Sequence, residues 1–203
     1  MKKTLKLLAA LLLLPLLSIG AAGTYYDAGS QIFNITAGAT VPFFYNYPDR
    51  DSESGPEWTF WPGNGPGQTH RSVGGVGAIS YQIFVNPYLA IGGELGFQFD
   101  FSRAGLVETN VPIFFKATTV PVQGRFEVPI SIGAGLLYAS YDGASKITFG
   151  CEVEAGIRYF ITDEWGVGIN VGLYIFPELY TSESTKMSTM AYIPTTVTVS
   201  YRH

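Results

Sequence analysis

Seven charged residues are the first candidates for chemistry: the carboxylates Glu94, Asp100, Glu127, Glu152 and Glu154, with Lys116 and Arg158 as bases. Glu94 and Asp100 are separated by an even step, as are Glu152, Glu154 and Arg158, so in an extended chain each set points to one side. Acids and bases on a shared face support two chemistries. One is a path for ions or protons, and the other is a fixed set of salt bridges. A second candidate is His70-Arg71-Ser72, an imidazole two positions before a hydroxyl, where a base can activate a nucleophile. A third is the acidic and aromatic stretch that holds Asp49, Asp51, Glu53, Trp58, Phe60 and Trp61. Those residue types suit recognition of a partner rather than catalysis, and their spacing does not match a calcium-binding loop. Cys151 is the single cysteine, which excludes an internal disulfide and a cysteine cluster for a metal. Two histidines in the whole chain leave little material for a histidine metal centre. We expect no catalytic group, metal or cofactor.

The elements that must position these groups are strands. From Leu89 to Phe101 the odd positions read Leu, Ile, Gly, Leu, Phe, Phe, Phe and the even positions Ala, Gly, Glu, Gly, Gln, Asp. This period of two belongs to a strand with one apolar and one small or polar face. The same pattern predicts eight strands: Phe33 to Phe43, Ser72 to Val85, Leu89 to Phe101, Val111 to Pro121, Phe126 to Ser140, Ile147 to Tyr159, Trp165 to Phe176 and Ala191 to Tyr201. The fourth alternates poorly, because Phe114 falls on its polar face. Tight connections at Asn86-Pro87-Tyr88, Gln123-Gly124-Arg125 and Thr162-Asp163-Glu164 alternate with others that include long ones at Asn46 to Thr69 and Pro177 to Ser188. Short turns at one end and longer loops at the other suit an all-β, eight-stranded, antiparallel up-and-down barrel of the transmembrane kind.

Composition decides which way the faces point. Of 203 residues, 47% are apolar and 15% aromatic, but only 14% are charged, against about 25% in soluble domains. No Asp, Glu, Lys or Arg occurs on the apolar face of the eight predicted strands. In water that face would have to be sealed inside, and the few charges opposite it would make too thin a skin for solubility. In lipid the absence is expected, since a basic side chain at mid-bilayer costs roughly 2–4 kcal/mol. The apolar face is therefore read as outward, and the seven charges as a lumen polar network. An eight-stranded barrel has room for little beyond its own side chains, and an unpartnered buried charge is costly. We therefore expect salt bridges that plug the lumen rather than an ion path. Cys151 falls on the lipid face. Aromatics near the strand ends suit interfacial belts: Tyr88, Tyr159, Trp165 and Tyr201 at the tight-turn end, and Phe43, Phe44, Tyr138 and Tyr141 at the other.

Residues 1–23 read as a cleaved signal peptide, with Lys2, Lys3 and Lys6 before an apolar run from Leu7 to Leu17 and small residues after it. Residues 24–203 then form one barrel domain in the outer membrane. Removing the three lysines leaves nine bases against 16 acids, a net charge of −7, which gives no support to nucleic-acid binding.

The stretch from Val128 to Tyr138, the run from Cys151 to Tyr159 and the segment from Trp165 to Asn170 form paired glycine- and aromatic-rich hairpins. In these the chain resembles the small eight-stranded outer-membrane barrels, which include the OmpA membrane domain, OmpX and OmpW-like proteins. The resemblance covers nearly all of the chain after the leader. It implies contact with outer-membrane lipid and with the barrel-assembly machinery. It departs at the end, where Arg202-His203 follows Tyr201 in place of a terminal aromatic. The role expected is a surface-interaction scaffold, not an enzyme, with an extracellular protein as a ligand of the first loop. The alternative is a narrow channel for small or hydrophobic solutes, as the OmpW resemblance implies. A third reading is a lipid-modifying enzyme, because some outer-membrane lipid A deacylases use a His-x-Ser pair.

Overall fold

The computed structural model describes residues 25–47, 57–102, 104–178 and 188–203. The predicted signal peptide and the loop acids Asp49, Asp51 and Glu53 lie outside the described residues. Nine strands follow one another: β1 (Gln31–Tyr47), β2 (Glu57–Phe60), β3 (Arg71–Asn86), β4 (Leu89–Ser102), β5 (Val107–Val122), β6 (Phe126–Tyr141), β7 (Ala144–Phe160), β8 (Trp165–Glu178) and β9 (Ser188–Arg202). Eight of them form a ring in the order β1-β3-β4-β5-β6-β7-β8-β9, and β9 pairs back onto β1 from Ile32↔Arg202 to Asn46↔Thr189. Every pairing is antiparallel. Closure leaves the ring without a free edge, as a backbone surrounded by hydrocarbon requires.

Three features differ from the sequence reading. The long first connection contains an extra strand, β2, which pairs with the outer end of β1 through Phe44↔Phe60 and Asn46↔Trp58. Alternation over four residues is too short to signal a strand. Secondly, the strands run past their predicted ends. β5 begins at Val107 and β7 at Ala144, so β6 and β7 are joined by Asp142-Gly143 alone. Both residues have positive φ (48° and 76°), as the type I′ hairpin turn demands. Strands of 14 to 17 residues exceed the roughly 9–11 needed to cross hydrocarbon, so the sheet extends beyond it.

Thirdly, a bulge changes the phase of β3. Its register shifts between Ser72 and Gly75. On one side of the bulge Val76, Ser80, Gln82 and Phe84 are buried in the interior; on the other it is Arg71 that points in, and Ser72 is exposed. A period of two carried unbroken through the strand would put Ser72, and with it His70, on the polar face; the extra residue turns Ser72 outward instead. His70 precedes the strand in a left-handed conformation (φ 55°).

The outward face is apolar around the ring, with Phe33, Ile83, Phe97, Phe115, Ile132, Val153, Ile169 and Val199 all exposed. Phe115 at 62% and Ile147 at 71% exposure are far outside what a water-facing surface this continuous sustains. Every charged strand residue whose side chain is described lies on the inward parity. Trp165 and Tyr201 pack with tilted rings, centroids 4.9 Å apart, near the tight turns.

Candidate functional site

The interior of the barrel is where the polar groups converge, and it is organised as successive layers. At the end that carries the first and last described residues and the tight turns, Tyr26, Ile32, Phe84, Ala90, Val120 and Phe160 form an apolar cluster. Tyr26 belongs to the segment before β1, yet it is buried, stacked on Phe84 with centroids 3.9 Å apart. Above this cluster, Glu127 on β6 accepts Arg202 Nη1 from β9 at 2.6 Å and the Tyr26 hydroxyl at 2.8 Å. Arg158 Nε on β7 stands 3.8 Å from the other oxygen of Glu127. Arg158 also donates to Asn34 and Ser200, each at 3.3 Å.

The next layer is centred on Lys116 of β5. Its Nζ lies 2.6 Å from Glu94 on β4, 3.0 Å from Glu152 and 2.7 Å from Glu154, both on β7. The bond to Glu94 joins neighbouring strands, whereas β6 separates β5 from β7 in the ring, so the bonds to Glu152 and Glu154 reach past a strand through the lumen. The register explains how the groups fit. Lys116 pairs with Gly92 and Gly133 on its two neighbouring strands, so small residues flank a long one. A Cβ at Gly133 would come within 2.7 Å of the Glu152 carboxylate. Between this layer and Arg158, the chain Gln82–Thr118–Ser131 is hydrogen-bonded at 2.9 and 2.8 Å. These residues, with Asn34, Asn170 and Thr198, line a cavity of about 30 Å³, enough for about two waters.

Outward of Lys116 large apolar side chains enter the lumen beside the buried Gln98 and Asn110. Phe114, Leu137, Tyr174, Phe176, Met190 and Tyr192 pack with Tyr45 and Val76 into an apolar plug. This corrects the expectation of an interior of charged and small residues alone. The misfit of Phe114 in the alternation of its strand was the visible sign of it, since the residue is 2% exposed inside the barrel. A final ionic layer caps the plug: Arg71 donates to Asp100 at 2.7 Å, pairs with Glu108, and lies over the Tyr45 ring at 5.2 Å.

The seven charged residues named from sequence therefore fall into three separate layers. Three further charges join them that the sequence reading missed. Arg71 was hidden by the bulge, and Glu108 by the early start of β5. Arg202 was taken for a tail, although its step of one from the outward Tyr201 signals an inward side chain. The loop aromatics lie elsewhere. Trp58, Phe60 and Trp61 are exposed. Phe60 packs on Phe44 at 5.2 Å, Trp58 on Phe44 at 5.4 Å and Trp61 on Phe43 at 4.9 Å. The structure does not assemble a His70–Ser72–acid relay. The Ser72 hydroxyl donates to the Phe101 carbonyl, and the neighbouring carboxylate, Asp100, binds Arg71.

Comparison with known proteins agrees with this geometry. One protein-family model matches residues 18–201. An uncharacterized protein of Treponema pallidum (strain Nichols) is 30% identical over 99 residues, 48% of this chain and 45% of that one, so the chain spans less than half of that relative's length. An uncharacterized protein of Borreliella burgdorferi is 27% identical over 157 residues, 64% of this chain and 71% of the relative. Among solved structures, the Neisserial surface protein A (NspA) is similar with a TM-score of 0.59 at 13% identity, over 86% of this chain and 97% of NspA. The outer membrane protein OprG of Pseudomonas aeruginosa is similar with a TM-score of 0.52 at 11% identity, over 88% of this chain and 97% of OprG. At such identities the likeness is one of fold: that of the small eight-stranded outer-membrane barrels.

Proposed function

Since the chain belongs to the family whose model spans residues 18–201 and has the fold of a small transmembrane β-barrel, we propose that it is an integral outer-membrane scaffold with a sealed lumen. The observation that carries this reading is the set of ion pairs that cross the interior, Lys116 to Glu152 and Glu154 above all. An ion path needs charges that a solute can approach. Here the ion pairs link strands through the interior, and packed aromatic side chains separate the Lys116 layer from that of Arg71. A buried charge stripped of its partner would cost several kcal/mol, so the layers hold one another in place.

The working surface is then the outer rim. On β2 the buried Thr59 points inward, so its neighbours Trp58 and Phe60 take the outward parity of the lipid-facing surface. They suit the outer leaflet, as an interfacial belt. The same connection carries Asp49, Asp51 and Glu53, which we assign to contact with an extracellular protein. The barrel-assembly machinery is the partner expected during biogenesis. No catalytic role is assigned, because Ser72 is not presented to an imidazole and an acid together.

Planar-bilayer recording of the purified, folded protein tests the proposal. We expect a flat trace. Reproducible conductance steps would overturn it and favour the narrow-channel alternative.

A further inference from the structure

The segment before β1 and the last residues of β9 meet inside the mouth of the barrel, and their contacts reach the far wall. In the ring, the β1–β9 seam and the β5–β6 hairpin are diametrically opposite, with two strands between them on either side. Gln123, in the β5–β6 turn, accepts the backbone N–H of Tyr25 at 2.9 Å through its Oε1, and its amide nitrogen donates to the Val120 carbonyl at 3.0 Å. From the other seam strand, Arg202 Nη1 donates to the Gly124 carbonyl of the same turn at 3.0 Å and to Glu127 of β6 at 2.6 Å. Its Nε donates to the Asp163 carbonyl of the β7–β8 turn at 2.7 Å. The guanidinium lies 3.6 Å from the centroid of Tyr25 and 3.5 Å from that of Phe160. The Tyr26 hydroxyl ends on the same Glu127.

Both strands of the seam are thus anchored, one through the segment that leads into it and one through its terminal arginine, on one hairpin across the mouth. We propose that Tyr25, Tyr26 and Arg202 with Gln123 and Glu127 form a brace that holds the β1–β9 seam closed. The seam is the one junction of the ring whose two strands are not joined by a connection in the chain. Its closure rests on side-chain and ladder bonds alone, and a diametric tie opposes the outward motion that would part it. The inward parity of position 202 is used for the brace, while Tyr201 keeps the outward, lipid-facing place.

The test is amide hydrogen exchange, read by mass spectrometry on the folded protein in detergent micelles. Gln123→Ala is the informative variant, because Gln123 touches neither seam strand of the ladder. Loss of its bonds should speed exchange along residues 32–40 and 194–202 by about tenfold relative to the β6–β7 ladder, the size expected for one or two lost hydrogen bonds. Tyr26→Ala should produce the same pattern, and Arg202→Met a larger one. Acceleration confined to the β5–β6 turn, acceleration equal in all strands, or none at all in the Gln123 variant would each overturn the proposal.

Discussion

Lys116 illustrates why single residues matter inside this barrel. Its ammonium group is the shared partner of Glu94, Glu152 and Glu154, and a cluster of carboxylates that loses its cation keeps the repulsion and the desolvation cost. Lys116→Met should therefore destabilise the folded barrel by about 3–5 kcal/mol, measured as a lowered midpoint of urea unfolding in lipid vesicles. A shift of a few tenths would mean that the layer is solvated and not a tie. The same logic made the seven charged residues legible from sequence: a period of two places them on one side, and hydrocarbon forbids the other. It did not say which of them would pair. Glu94, Glu152 and Glu154 are up to 60 positions apart in the chain, and only the ring places them around one amine. Cys151, of outward parity on β7, offers a second test at this scale. In intact vesicles it should resist a membrane-impermeant maleimide, and it should label once the protein is unfolded. Fast labelling in the folded state would reverse the assignment of the two faces.

At the scale of the strand, alternation was the dominant signal, and it worked best where no residue interrupts it. On β6 the buried Glu127, Ser131 and Leu137 share the odd parity, and the exposed Ile132, Leu136 and Tyr138 the even one. Ile132→Arg should cost about 2–4 kcal/mol if this face meets the middle of the bilayer, read from the same vesicle unfolding. The charged variant should be far less harmful at the exposed Trp61, in the connection between β2 and β3. Equal effects at the two places would argue that position 132 faces water. Strand ends and irregularities were less legible. The bulge in β3 adds one residue and inverts everything beyond it, which no count of apolar positions can foresee. β2 adds to the outer end of β1, whose other edge is paired with β9, so its existence depends on a partner far from it in the chain.

For the molecule as a whole, closure is the decisive property. A ring whose apolar surface is outward and whose charges are paired through the interior is a rigid body, and the proposed function asks no more of it than to hold the outer rim at the membrane surface. The flat bilayer trace and the seam-specific hydrogen exchange both follow from that closure. Before any coordinates, low charge, strict alternation and the exclusion of charge from one face already determined an all-β barrel with its apolar side outward. They suffice because lipid imposes the same demand on every strand separately, so each strand carries the evidence within itself. How the interior side chains meet was decided by the tertiary structure alone. The apolar plug around Phe114, the three ionic layers and the brace through Arg202 join residues from strands far apart in the chain. Which inward side chains meet depends on the stagger and closure of the ring, and the pattern within any one strand does not record that.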